Sequence, residues 1–84
     1  MRSYLIDIPS ADKLRELVRI VNQFSCDLNL KNGVGCIDCK SLVGVLQMGC
    51  SHNMTLEMIG EAADCDTLEN ELAAFFHISL KKEM

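Results

Sequence analysis

The period of the apolar positions changes repeatedly along the chain, and each change predicts an element. Tyr4, Ile6 and Ile8 alternate with Leu5 and Asp7, which predicts a strand over residues 3–8. Pro9 stops it. From Ser10 the spacing lengthens: Leu14, Leu17, Val18, Val21 and Phe24 share one helical stripe, with Arg15, Glu16, Arg19 and Asn22 facing outward. This predicts a helix over 10–24, with Ser10 as its N-cap and Asp12 at the positive end of its dipole.

Alternation returns from Cys26 to Leu30, with Leu28 and Leu30 on one face. Lys31-Asn32-Gly33 reads as a turn, because Asn-Gly favours the left-handed backbone of a tight hairpin, and residues 34–39 read as the returning strand. Ser41 caps a short helix over 41–48, and Gly49 suits a left-handed stop. Ser51-His52-Asn53 reads as a loop before a fourth strand, in which Met54, Leu56 and Met58 alternate with Thr55 and Glu57. Leu68, Leu72, Phe75, Phe76 and Ser79 then keep helical spacing, predicting a helix over 65–80. Asp64 or Asp66 would cap it, Asp66 with Glu69 as a capping box, and Lys81 and Lys82 would suit its negative end.

The predicted order is βαββαβα. Each strand has one apolar face and each helix one apolar stripe. A four-stranded antiparallel sheet with three helices on one face, an α+β open-faced sandwich, buries them together. Residues 1–84 make a single domain, since no linker, repeat or low-complexity tract divides them.

Composition narrows the function classes. The net charge of −4 opposes nucleic-acid phosphates, and no basic stripe or aromatic platform compensates for it. No apolar run approaches the ~20 residues of a membrane span. Asp7 interrupts the N-terminal apolar stretch too early for a signal peptide. The five cysteines are odd in number and widely spread, so they read as reduced thiols of a cytoplasmic protein.

Cys36 and Cys39 have CxxC spacing, but on a strand residues three apart point to opposite faces, which keeps their sulfurs from one metal. No second CxxC or nearby histidine completes a ligand set. Cys26, Cys50 and Cys65 read as small buried hydrophobes. His52 in a loop and His77 in the last helix have no paired base or ligand nearby in sequence. These patterns imply no metal, no cofactor and no catalytic residue.

The stretch Lys40-Ser41-Leu42-Val43-Gly44-Val45-Leu46-Gln47-Met48-Gly49 resembles the regulatory-serine segment of HPr, the histidine-containing phosphocarrier family of the bacterial phosphotransferase system. Phe24-Ser25-Cys26-Asp27-Leu28-Asn29-Leu30 is similar to that family's aromatic residue and second strand, and its spacing to Ser41 fits without a gap. The family's order is also βαββαβα. The resemblance implies that Ser41 is a regulatory phosphorylation candidate, and that Leu42, Val43, Leu46 and Met48 form a partner-binding patch. It also marks a departure. Counting back without gaps, Ser10 falls where the family carries its phosphoacceptor histidine, and Asp12 and Lys13 fall where Arg and Pro would be. Several residues of the histidine loop are missing between Ile8 and Leu14. Asp12, if it lies near Ser41, makes a phosphate there less welcome.

Three readings follow. The first is an HPr-like protein that is neither a phosphocarrier nor an enzyme, and that binds a phosphotransferase-system or regulatory protein through the Ser41 helix. The second is an atypical phosphocarrier. The third is a structural or self-associating domain, for instance a homodimer.

Overall fold

Arg2–Ile8 form the first strand, β1, in the computed structural model, which describes residues 1–80. Tyr4, Ile6 and Ile8 are buried, as their alternation predicts. Helix α1 spans Ala11–Val21 and buries Leu14, Leu17, Val18, Ile20 and Val21. It ends three residues before the predicted 24. Asn22 supplies the stop: its backbone N–H and its side-chain amide both donate to Val18 O, satisfying an end carbonyl. Phe24 packs against the core from the loop beyond.

Strands β2 (Asp27–Asn32) and β3 (Gly35–Asp38) form a hairpin. Lys31 and Asn32, expected in the turn, pair with Cys36 and Gly35 instead, so the loop is Gly33–Val34, with Gly33 at φ 62°. Helix α2 covers Leu42–Met48 and stops at Gly49, whose φ of 83° is the left-handed backbone predicted for it.

Strand β4 runs Ser51–Ile59, so the predicted loop at 51–53 is strand. The sequence suggested a loop because this end is irregular: the register with β1 shifts between Ile6 and Ile8. Asn53 takes up the shift at φ 56°, and its N–H donates to Asp7 Oδ1 at 2.7 Å.

Helix α3 spans Ala62–Phe75, not 65–80. Neither Asp64 nor Asp66 caps it. Glu61 holds the N-cap position and makes no side-chain cap bond. Asp66 and Glu69, expected as a capping pair, reach across to β1 instead. Asp66 takes Arg2 at 2.7 Å, and Glu69 accepts the Tyr4 hydroxyl at 2.6 Å. Burial, reinforced by Glu69, pushes the Tyr4 phenol well above its usual range, so it remains a proton donor.

After Phe75 the chain turns into a fifth strand, β5 (Ile78–Leu80), antiparallel to β1. The sheet therefore has five strands in the order β3-β2-β4-β1-β5, not four, and every pairing is antiparallel. Phe76, Ile78 and Leu80 also alternate, and that signal competes with the helical spacing of Phe75, Phe76 and Ser79. Edge pairing with β1 satisfies backbone groups that one more helical turn would leave at the surface. The expected dipole role of Lys81 and Lys82 lies outside the described residues.

The three helices cover one face of the sheet, and the core lies between. Tyr4, Ile6 and Ile8 from β1, Leu28 and Leu30 from β2, and Met54, Leu56 and Met58 from β4 supply the sheet side. No helix among the described residues is long and apolar enough to cross a membrane.

Candidate functional site

Two helix starts carry the residues singled out in the sequence. The first is that of α1. Only Pro9 and Ser10 separate β1 from α1, so no loop stands there. Ser10 is extended, at φ −153° and ψ 162°, and its Oγ accepts from Lys13 N at 3.2 Å. Its hydroxyl therefore serves as the helix cap predicted for it.

The end of α3 returns beside this point. Lys13 Nζ donates to Phe75 O at 2.7 Å and lies 5.2 Å from the Phe76 ring centre. Asp7 N–H donates to His77 O at 3.3 Å. Asp7, Pro9, Lys13, Phe75, Phe76 and His77 line a cleft of about 310 Å³. His77 was expected in the last helix; it lies instead just before β5, exposed, at the same end of the fold as Ser10. The alternation of Phe76, Ile78 and Leu80 was the signal that could have placed it.

The second start is that of α2. Ser41 is extended, at φ −91° and ψ 103°; its Oγ accepts from Gly44 N at 3.3 Å and its carbonyl from Val45 N at 2.9 Å. Lys40 is tied down on three sides. Its N–H donates to Asp38 Oδ1 at 2.9 Å, its Nζ donates to Phe24 O at 2.8 Å, and its carbonyl accepts from Asn22 Nδ2 at 3.3 Å. The Asn22 contact places this helix start beside the C-terminal end of α1. Asp12 sits at the other end, about 15 Å away along the axis at ~1.5 Å per residue, and its carboxylate pairs with Arg15 at 3.2 Å. The anticipated clash between Asp12 and a phosphate on Ser41 therefore does not arise from this geometry.

Along α2 the expected patch divides. Val43 is 67% exposed and Leu42 43% exposed. Leu46 and Met48 are half-buried and pack against the core, while Val45 is fully buried. Leu42 and Val43 are thus the open part of the patch. Gly44 sets the depth of the helix, because a Cβ there would overlap Ile37, lying 2.5 Å from its Cγ1. Gly44→Ala gains helix propensity of ~1 kcal/mol but overpacks this contact at ~1–3 kcal/mol. The expected result is a net loss of about 1 kcal/mol, read as a lower urea midpoint with unchanged slope. A stabilised variant would show that Ile37 yields freely.

The cysteines separate by burial. Cys36 is exposed on β3 and Cys39 buried just beyond it, since the strand ends at Asp38 rather than at the predicted 39. Burial first, then Asp38, pushes the Cys39 thiol up to about 12, which leaves it unreactive at neutral pH. Cys26 and Cys65 are buried, but Cys50, expected to be buried, is exposed, because it follows Gly49 on the surface between α2 and β4. Among the described residues no cluster of three or more His, Cys, Asp or Glu side chains is arranged to hold a metal.

No curated protein matches the chain. Among solved structures, a crystal structure described as HPr-C-His from Thermoanaerobacter tengcongensis superposes with a TM-score of 0.69 at 19% identity. The match covers 86% of this chain and 90% of that one, and establishes the fold. Residues 11–77, which include α1, Ser41 and α2, match the PTS-HPr family, described as the PTS HPr component phosphorylation site. With well over half its length matched and the same fold, this chain belongs to the HPr family of phosphotransferase-system proteins.

Proposed function

We propose that this HPr-family protein is not a histidine phosphocarrier but a cytoplasmic protein-binding and regulatory module. It presents the start of α2 to a partner protein of the phosphotransferase system or its regulation. The observation that carries this reading is the two-residue connection at Pro9–Ser10, where a capping serine stands at the position that should carry the transferable phosphoryl group. A phosphorylated imidazole passes its phosphoryl group onward because the N–P bond is labile. A serine phosphoester is stable and a poor donor. A hydroxyl already accepting the Lys13 N–H must also give up its cap before it can react.

At α2 the chemistry suits regulation. A phosphate on Ser41 would sit at the helix start, where backbone N–H groups and the dipole favour negative charge. It would stand beside the exposed Leu42 and Val43, changing the charge at the rim of an apolar contact surface. The test of the main reading is incubation with the general phosphotransferase enzyme and phosphoenolpyruvate, followed by intact-mass measurement at neutral pH. The expected result is an unmodified chain.

One observation favours the atypical carrier: His77 is exposed and lies at the same end as Lys13 and Pro9. An acid-labile phosphoryl adduct that disappears in His77→Ala would establish that second reading and overturn the first.

A further inference from the structure

Three features bring Cys26 and Cys65 together. Cys26 lies in the loop between α1 and β2, and Cys65 in the first turns of α3. Their neighbours in sequence already touch, since Ser25 Oγ hydrogen-bonds to Asp64 Oδ2 at 3.2 Å. Burial first, and then the neighbouring Cys65 side chain, raises the Cys26 thiol above its ordinary range. Both side chains are enclosed, at 2% and 3% exposure, and the turn into α3 presses on Cys26. A Cβ on Gly60 would lie 2.9 Å from its Sγ. Two buried thiols on segments that touch each other differ from the remaining three cysteines, of which Cys39 is buried and Cys36 and Cys50 are exposed.

We propose that Cys26 and Cys65 are a disulfide-forming pair that cross-links the start of β2 to the start of α3, with a low-molecular-weight disulfide as oxidant. A thiolate of the pair attacks one sulfur of that disulfide, forming a mixed disulfide and releasing one small thiol. The second cysteine attacks the protein-bound sulfur and releases the other. The Cys26–Cys65 bond forms, the small disulfide's S–S bond breaks, and both thiol protons leave on the two small thiols. The route in is the first turn of α3. Its N-cap, Glu61, makes no side-chain cap bond, so fraying of this turn is the opening that gives the small disulfide access. The cross-link then pins that turn to the sheet. This proposal does not depend on the function assigned to Ser41.

The experiment uses the full chain carrying Cys36→Ser and Cys50→Ser, which removes the two exposed thiols and leaves the core intact. The folded protein is equilibrated with oxidised glutathione, quenched by alkylation in denaturant, and peptide-mapped. The expected product has lost two hydrogens, contains a Cys26–Cys65 linked peptide, and reverts with dithiothreitol. Its thermal midpoint should rise by about 10 °C or more, because the bond closes a long loop of the unfolded chain. Cys26→Ala in the same background should abolish the product. The proposal is overturned if both cysteines remain alkylatable, if only glutathione adducts accumulate, or if the link pairs Cys39. It is equally overturned if the link forms only in denaturant.

Discussion

Leu72→Ala should lose about 3–4 kcal/mol of stability. Leu72 is fully buried on the inner face of α3, in the same core as Leu14, Leu17 and Leu56. Truncating it removes the transfer energy of the lost carbons and leaves a cavity, a change that costs ~2–5 kcal/mol in well-packed cores. At ~0.05–0.15 kcal/mol per residue the whole domain has a stability of roughly 4–13 kcal/mol. The variant therefore forfeits between a quarter and nearly all of it. The thermal midpoint should fall by roughly 12–32 °C, since domains of this size move ~4–8 °C per kcal/mol. Urea unfolding with unchanged slope is the check. A loss below about 1 kcal/mol would mean that α3 is not docked on the sheet as described.

A pair of charge insertions on α2 should separate folding from binding. Leu46 is half-buried against the core, so Leu46→Glu places a carboxylate against apolar neighbours, at a cost of about 2–3 kcal/mol. Three residues earlier, Val43 is 67% exposed, and Val43→Glu should stay within about 0.5 kcal/mol of the parent. If the start of α2 is the partner surface, Val43→Glu is the informative variant: folded, yet defective in association. Melting curves of both proteins decide the structural half. Equal, large drops would place Val43 in the core and remove the patch. A folded Val43→Glu protein with full partner affinity would move the interface elsewhere.

The reading of α2 from the sequence shows what local pattern can and cannot supply. Ser41 as cap, Gly49 as left-handed stop and the helix between them follow from chemistry within ten residues. Which of Leu42, Val43, Leu46 and Met48 would face solvent did not. All four are apolar, and only the angle at which Gly44 seats the helix on Ile37 divides them. The same contrast holds at Ser10. Its capping role was legible, but the return of His77 to that end of the molecule required a pairing between residues some seventy positions apart.

By itself the sequence determined the α+β class, the order along the chain of the first four strands and the three helices, the buried faces and the short Pro9–Ser10 connection. These follow from period-two and helical spacing, which is set by backbone geometry over a few residues. Only the tertiary structure decided the fifth strand, the true bounds of α3 and the roles of Asp66 and Glu69 on Arg2 and Tyr4. The contact of Ser25 with Asp64, which brings the segments carrying Cys26 and Cys65 side by side, belongs with them. Each of these depends on partners distant in the chain. For Phe76 to Leu80 the local energies of helix and strand differ little, and an unpaired edge of β1 was enough to choose the strand.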